Sequence, residues 1–211
     1  MNALEAWAMA LDKVAKEGIK FKDNEGRVCT ELVHETIRFD PLGYDLLLKE
    51  MRRYERWSFP SLEDLKRIIN HSSHQGLAFT LGSRLHAYRE SIDQVNDYVI
   101  PLLKKDNNSR RALIVLYDPS HDSKPEQKTY PSLAVIFFKI VEKKLTVSAW
   151  IRSNDLLLGF PVSLVELGLL QKEVSTALGV DIGEIVVHSG SMHFYADNKD
   201  TVEDILKRWK K

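Results

Sequence analysis

The sequence has little cysteine and no long apolar segment. Cys29 is the single cysteine in 211 residues, which excludes an internal disulfide and a cysteine-rich zinc site and is typical of a reducing compartment. No apolar run approaches the ~20 residues of a membrane span, and the N-terminus has neither the basic nor the apolar region of a signal peptide. We therefore expect a cytoplasmic protein with no membrane partner.

The sequence also lacks net charge. Thirty Lys and Arg residues balance thirty Asp and Glu residues, and the pI is about 7.1. A balanced chain has no global basic field to hold duplex nucleic acid, so we expect no nucleic-acid partner. Its 44% hydrophobic and 28% charged residues are ordinary for a packed globular protein. Because no repeat, low-complexity tract or linker interrupts the chain, we expect one domain over residues 1–211.

Metal-ligating clusters are missing as well. His71 and His74 stand three apart at a predicted helix end, but no acidic or cysteine partner lies at ligand spacing. Histidine near a helix C-terminus is favoured electrostatically. We therefore interpret both as solvated or capping side chains and predict no metal site.

Periodicity and end signals predict helices and strands along the chain. Asn2 and Glu5 have capping-box spacing, and a helix follows as far as Gly18. A second helix begins at Ser61, and a long buried one ends at Gly179. Short runs rich in Val, Ile and aromatic residues predict strands, with a hairpin at 142–144 and a surface loop over 118–129. These strands cover 27–39, 112–117, 133–140, 145–151 and 185–187. The predicted class is α+β, with a mixed sheet of about six strands covered by helices on one face.

The densest cluster of reactive side chains runs from Arg152 to Asp155. It places a guanidinium, a hydroxyl, an amide and a carboxylate between a strand and a Gly/Pro-containing loop. The planar donors of arginine match two phosphate oxygens at once. The alternative is a strand-to-helix turn in which Asp155 accepts from loop amides.

Three further segments accompany this cluster. Asn108–Val115 contains Arg110 and Arg111 before a strand, Tyr130–Phe137 contains Ser132, and Ser189–Tyr195 follows a strand with two residues able to face the same side. In order and spacing, these segments resemble the thymidylate synthase family over residues 76–198. Two N-terminal segments, 25–31 and 37–41, look like the shorter archaeal branch of that family.

The resemblance implies a phosphate site shared between two chains. Arg152 and Ser153 would hold the 5′-phosphate of a pyrimidine nucleoside monophosphate. Arg110 and Arg111 would reach the same phosphate from the partner subunit. The resemblance therefore implies a homodimer, in which the sheet face without helices packs against the second copy.

The resemblance also implies the remaining ligand contacts. His193 and Tyr195 would bind the sugar 3′-hydroxyl, Asp155 would hydrogen-bond the ring of a reduced folate or other tetrahydropterin, and Gly159 would let its loop approach the base closely. The family reaction transfers a one-carbon unit from that pterin to carbon 5 of the base. In it, a cysteine thiolate first adds to carbon 6.

The position of the family nucleophile departs from the family pattern. The family carries this cysteine in a Pro-Cys pair twenty residues before the motif arginine, and here Ser132 occupies that position. A serine hydroxyl is a much weaker acid than a thiol, and the sequence offers no evident base beside it. Cys29 lies far upstream and is expected to be a small buried side chain. We therefore expect one-carbon transfer to be impaired.

The base-reading position departs too. Thymidylate synthases carry asparagine there to read uracil, and cytosine-specific relatives carry aspartate, whereas this chain has Ser163. Ser163 and Glu166 also have capping-box spacing, so the structural alternative makes Ser163 the N-cap of the long helix. A shorter hydroxyl should weaken discrimination between uracil and cytosine.

The two departures leave several functions open. The first is a thymidylate-synthase-type protein that binds a pyrimidine nucleotide. The alternatives are a non-catalytic sensor or subunit, and an enzyme that runs a different reaction on the same nucleotide site. Two linked substitutions favour natural divergence over an engineered Cys→Ser trap, which is the other origin for Ser132.

Overall fold

A computed structural model describes residues 1–54, 59–71, 79–126 and 129–209. Within these ranges, seven strands form one mixed sheet in the order β1-β2-β7-β5-β4-β3, with β6 pairing to β7. The strands are β1 (Ile19–Lys22), β2 (Val28–Phe39), β3 (Leu113–Val115), β4 (Leu133–Val141), β5 (Lys144–Ile151), β6 (Asn154–Asp155) and β7 (Asp181–Tyr195). Strands β5 and β6 run parallel to β7, and the other neighbouring pairs are antiparallel. The predicted α+β class with a mixed sheet is confirmed.

Eight α-helices accompany the sheet in the described ranges. They are α1 (Ala3–Glu17), α2 (Tyr44–Met51), α3 (Leu62–Asn70), α4 (Leu81–His86), α5 (Ile100–Lys105), α6 (Pro119–Asp122), α7 (Gly159–Leu178) and α8 (Lys199–Trp209). A π-helical turn, Val95–Val99, runs directly into α5, and a 3-10 turn, Ala196–Asn198, precedes α8. None of the described helices is long and apolar enough to cross a membrane.

Local end signals set the first helices as the sequence predicts. Asn2 and Glu5 form a reciprocal capping box at the start of α1, and Gly18 ends that helix. Ser61 and Asp64 form the same arrangement at α3. Each box satisfies backbone N–H groups that the first helical turn leaves unpaired.

Helix α7 lies at the centre of the core. It packs against α2, α3, β5 and β7, and Phe160, Leu164, Leu170 and Val174 along it are fully buried. The amide of Gln171, also fully buried, donates to the carbonyls of Leu145 on β5 and Gly183 on β7, at 2.6 and 3.1 Å. The helix is thereby fixed to the two strands that lead toward the candidate site.

The two faces of the sheet differ in their covering. Inward residues of β2, β4, β5 and β7, such as Ile37, Phe138 and Val147, join the core under the helices. On the opposite face, Trp150 remains 47% exposed and Leu113 41% exposed. The described helices therefore cover one face, as predicted.

The structure differs from the predicted elements in three places. The C-terminal strand is fifteen residues long rather than three, and β1 was not predicted. The predicted loop over 118–129 contains α6, and Asp118 and Asp122 are buried there because Arg89 and Arg84 pair with them. These ion pairs join residues 29 and 38 positions apart in the chain, so local spacing could not show them.

Candidate functional site

Arg152 follows β5 and lies against the start of β4. Its backbone amide donates to the Ser132 carbonyl at 2.9 Å. Its guanidinium Nε donates to the Pro131 carbonyl at 3.1 Å, and the group lies 5.5 Å from the Tyr130 ring centroid. Nη1 makes no hydrogen bond with the described residues. The structure therefore joins Arg152 to Ser132 and leaves the Nη1 edge of the guanidinium without a partner among the described residues.

Side-chain hydrogen bonds of Asn154 and Asp155 fix the turn after Arg152. Asn154 is buried, and its Nδ2 donates to Ser189 Oγ at 2.8 Å. Asp155 Oδ1 accepts from the amides of Leu157 and Leu158 at 2.9 and 3.2 Å. This is the loop-amide arrangement that the sequence left as an alternative for Asp155. Its Oδ2 has no partner in the described parts of the chain, so the carboxylate retains one oxygen for a ligand.

Gly159 begins α7, close to this turn. A Cβ atom at Gly159 would meet open space, so packing within the chain does not require glycine there. The loop that leads to it is anchored by Trp7, whose Nε1 donates to the Leu156 carbonyl at 2.5 Å. The predicted close approach of this loop to a base stays a prediction.

His193 and Tyr195 share a face at the end of β7. Their rings meet edge to face, with centroids 5.4 Å apart at an interplanar angle of 80°. Arg27 lies 4.1 Å above the Tyr195 ring and donates to its hydroxyl at 2.9 Å. The sequence did not indicate Arg27, because only the pairing of β2 with β7 brings it here.

Burial disfavours the charged form of His193. The side chain is 8% exposed, and this burial lowers its pKa. Its Nδ1 lies 3.2 Å from Ser191 Oγ, which donates in turn to the carboxylate of Glu31. A neutral imidazole with a fixed ring can donate from one nitrogen and accept at the other, which suits it to a sugar hydroxyl.

Cys29 lies on β2, and β7 and β5 separate that strand from β4, which Ser132 directly precedes. It pairs with Tyr195 across β2 and β7, and it is 1% exposed. Burial raises the pKa of its thiol, which disfavours the thiolate. The structure thus agrees with the expectation of a small buried side chain.

Ser132 and Ser163 line the same pocket of about 300 Å³. Ser132 is exposed at its wall, and neither hydroxyl is hydrogen-bonded to a described residue. Apolar side chains form much of the lining: Ile68, Phe79, Leu81, Leu116 and Leu133. A largely apolar lining with a few polar groups is typical of a small-molecule site.

The interpretation of Ser163 as an N-cap was wrong. Helix α7 begins at Gly159, one turn earlier, with Leu158 at the cap position. Ser163 is therefore a helical residue, and its side chain belongs to the pocket wall rather than to a helix end. Phe160 and Pro161, which are both buried, pack this first turn into the core.

Two charged residues of this pocket were missed from the sequence as site residues. Glu166 lines it one helical turn after Ser163, and burial raises the pKa of its carboxyl to about 7. Arg84 on α4 also lines it, with its guanidinium 2.8 Å from Asp122. The i, i+3 spacing of Ser163 and Glu166 also places two side chains on one helix face, but the same spacing is that of a capping box.

Arg110 and Arg111 lie away from Arg152 within the chain. They immediately precede β3, where Lys139 Nζ donates to the Asn108 carbonyl at 2.5 Å. Arg152 is bonded to Ser132, at the other end of β4. Seven residues of β4 separate the two places, about 20 Å at roughly 3.3 Å per residue. Both arginines are exposed and form no ion pair with described residues.

The histidines set aside in the sequence contribute no metal cluster in the described ranges. His71 is the C-cap residue of α3, and His74 lies outside the described residues. In the parts of the chain that are described, no group of three His, Cys, Asp or Glu side chains could hold a metal ion.

Comparison with known proteins identifies the family of the chain. The thymidylate synthase family profile matches residues 57–211. A protein of Methanothermobacter marburgensis named "Putative thymidylate synthase" is 28% identical over 96% of this chain and 94% of its own length. A protein of the same name from Methanocaldococcus jannaschii is 30% identical over 79% of this chain and 72% of its own. The thymidylate synthase of Bacillus licheniformis is 31% identical over 56% of this chain and 42% of its own. The chain belongs to the thymidylate synthase family.

Proposed function

We propose that this protein binds the 5′-monophosphate of a pyrimidine nucleoside. The bond between the Arg152 amide and the Ser132 carbonyl carries this proposal, because it places a partly free guanidinium beside the pocket that Ser132 lines. The phosphate would lie on Arg152 and Ser153, and the base would enter the pocket. A guanidinium with N–H donors free along one edge is a strong ligand for a phosphate dianion.

The sugar contacts follow from the end of β7. Burial favours the neutral form of His193, and Tyr195 meets its ring edge to face. Because Ser191 Oγ donates to Glu31, His193 Nδ1 donates to Ser191 and Nε2 is left as an acceptor. We assign to both residues the binding of the sugar 3′-hydroxyl, with Nε2 of the imidazole accepting from it. Arg27 holds the Tyr195 hydroxyl and adds a positive charge to this end of the site.

We propose that the one-carbon transfer of the family is impaired in this chain. Ser132 stands where the family carries its nucleophilic cysteine, and its hydroxyl accepts or donates no hydrogen bond with described residues. A hydroxyl without an adjacent base is a poor nucleophile for carbon 6 of the pyrimidine. The nucleotide site would persist while methyltransfer is slow or lost.

The free carboxylate oxygen of Asp155, Oδ2, could bind the ring of a reduced folate. When bound, the folate supplies the one-carbon unit at the oxidation level of a methylene group. Asp155 holds the adjoining loop through Oδ1 and keeps Oδ2 free, so this oxygen would accept from an N–H of the pterin ring. Open space beside Gly159 leaves room next to the loop.

We propose that the working form is a cytoplasmic homodimer. Arg110 and Arg111 lie far from Arg152 within the chain, so they would complete the phosphate site of the second copy. The exposed Trp150 and Leu113 on the helix-free sheet face offer an apolar contact surface for that copy. A single cysteine, buried and unpaired, suits the reducing cytoplasm.

Titration calorimetry tests the proposed function. Deoxyuridine, deoxycytidine and their 5′-monophosphates would each be titrated into the protein, with and without a reduced folate. We expect both monophosphates to bind at least tenfold more tightly than their nucleosides, since charge-assisted hydrogen bonds to the phosphate contribute about 1.5–3 kcal/mol each. Equal affinity for nucleoside and nucleotide would reject the phosphate assignment, and binding of neither would reject the function.

A further inference from the structure

One carboxyl group of the pocket has no role in the contacts described so far. Glu166 lines the pocket together with Ser132 and Ser163. It follows Ser163 by three residues on α7, so the two side chains are neighbours on one helix face. Glu166 thus belongs to the wall that a base would meet.

The other ionic and capping groups around Glu166 are already paired. Arg84 forms an ion pair with the buried Asp122 and lies 5.3 Å from the Phe79 ring. Thr80 Oγ1 accepts from the Ser83 amide at the start of α4. Glu166, by contrast, makes no hydrogen bond or ion pair with any described residue. Glu166 is partly buried at the pocket wall, so its carboxyl is available to a ligand that enters the pocket.

The surroundings of Glu166 favour its neutral form. Burial raises the pKa of the carboxyl to about 7, so a large fraction is protonated at neutral pH. Among the described residues that line the pocket from α3, α4, β3, β4 and α7, the one other charged side chain is Arg84. Because Asp122 compensates the charge of Arg84, Arg84 does not stabilise the ionised carboxylate of Glu166.

We propose that Glu166 reads the edge of the pyrimidine base as a neutral carboxylic acid, donating one hydrogen bond and accepting another. This inference rests on the proposed function. Uracil presents an N–H donor beside a carbonyl acceptor, and cytosine presents a ring-nitrogen acceptor beside an amino donor. A neutral carboxylic acid satisfies either pair, whereas a carboxylate only accepts. The pocket therefore takes both bases with similar affinity and releases both as Glu166 ionises.

The pH dependence of binding tests this assignment. The dissociation constants of deoxyuridine and deoxycytidine 5′-monophosphate would be measured at pH 6 and pH 8. With a pKa of about 7 and binding to the neutral form alone, affinity falls about tenfold between these two values. The ligand phosphate itself ionises near pH 6, so each variant is compared with wild type at the same pH.

Glu166→Gln is the informative variant. Its amide retains one donor and one acceptor but does not ionise. We expect it to bind within a few-fold of wild type at pH 6 and to lose the tenfold weakening that wild type shows at pH 8. Glu166→Leu, which has neither group, should bind about tenfold more weakly at both pH values.

Glu173→Gln is the matched control. Glu173 lies two turns further along α7 and its pKa is also raised by burial, but it lines a different groove with Tyr44 and Lys172. This variant should keep the pH profile of wild type. Melting temperatures of all variants establish that they fold.

The outcomes separate this inference from the proposed function. Parallel pH profiles for wild type and Glu166→Gln would overturn the role of Glu166 while leaving nucleotide binding in place. Unchanged affinity in Glu166→Leu would do the same. If wild type bound no nucleotide at pH 6, the proposed function would fail, and the assignment of Glu166 with it. If Glu166→Leu does not fold, the pH profiles of wild type and the nearly isosteric Glu166→Gln decide whether Glu166 has this role.

Discussion

Gly190 lies directly against the backbone of Arg152. A Cβ atom at Gly190 would be 2.7 Å from the Arg152 carbonyl oxygen, and the next amide, that of Ser191, donates to that oxygen at 3.1 Å. Two strands, β5 and β7, therefore meet here through bare backbone. The position of Arg152, which is the candidate residue for binding the phosphate, therefore depends on the absence of a side chain at Gly190 of β7.

Replacing Gly190 by alanine should displace Arg152. We expect Gly190→Ala to lower stability by about 1–3 kcal/mol, because the added methyl group overpacks fixed backbone, and to weaken nucleotide binding. Thermal unfolding and calorimetry measure the two effects. Gly159→Ala is the control, since its Cβ meets open space and its melting temperature should match wild type. A fully stable Gly190→Ala with normal binding would contradict the close contact.

Arg152→Ala should weaken binding of nucleoside monophosphates at least tenfold. The lost charge-assisted hydrogen bonds account for about 1.5–3 kcal/mol, and the affinity for the nucleoside should change little. Calorimetric dissociation constants for nucleotide and nucleoside make the comparison. Arg67→Ala, on the exposed end of α3, is the control and should bind as wild type does. A uniform loss for nucleoside and nucleotide would point to misfolding rather than to a phosphate contact.

Mixing two defective chains should restore function if Arg110 acts across an interface. An Arg110→Ala chain and an Arg152→Ala chain together form a heterodimer with one intact phosphate site and one doubly defective site. We expect each heterodimer to bind one nucleotide, and calorimetry after mixing measures this stoichiometry. Sedimentation at micromolar concentration should show a dimer. A monomer, or no gain on mixing, rules out the shared site.

The missing thiol should abolish thymidylate formation. We expect no detectable thymidylate from deoxyuridylate and methylene-tetrahydrofolate, and no stable adduct with a 5-fluoro nucleotide. Ser132→Cys alone should give weak activity, and adding Ser163→Asn should raise it by up to about 100-fold, because a misplacement of ~1 Å can cost that much. Ser132→Ala is the inactive control. Robust wild-type turnover would show a different nucleophile, and full activity from Ser132→Cys alone would favour an engineered trap.

The Asp118–Arg89 ion pair should make stability sensitive to acid. Hydrogen bonds from the Arg89 guanidinium hold the pKa of Asp118 well below its ordinary value of 3.8. Because the folded-state pKa is lowered, the stabilisation is complete above about pH 4 and is lost as the pH falls further. Asp118→Asn should cost about 1.5–3 kcal/mol at pH 7. The difference in melting temperature from wild type should begin to narrow below about pH 4 and should close only near the lowered folded-state pKa of Asp118.

Calorimetric melting curves at pH 7, 5 and 3 follow this convergence. Glu63→Gln removes an exposed ion pair with Lys66 and should change stability by less than about 0.5 kcal/mol at every pH. A difference between wild type and Asp118→Asn that persists unchanged to pH 3 would contradict the role of the ion pair.

Local signals in the sequence determined much of the fold. The capping boxes at Asn2 and Ser61 act within one helical turn. The short polar segment 142–144 between two apolar runs marks the hairpin of β4 and β5, although Glu142 and Lys143 adopt a positive φ that the strand pairing imposes on them. Loose alternation of apolar residues located β2, and short apolar runs rich in Val, Ile and aromatic residues located β4 and β5. The order of the phosphate and sugar motifs likewise needs no tertiary information, so the family could be identified from them.

Tertiary structure alone decided how the candidate site is assembled. The start of α7 moved from Ser163 to Gly159 because Phe160 and Pro161 are buried in the core, an effect stronger than a single capping preference. Arg27 reaches Tyr195, and Glu166 shares a pocket with Ser132, through contacts between residues distant in sequence. Such contacts arise from the packing of strands and helices against one another, and this packing leaves no fixed spacing in the chain.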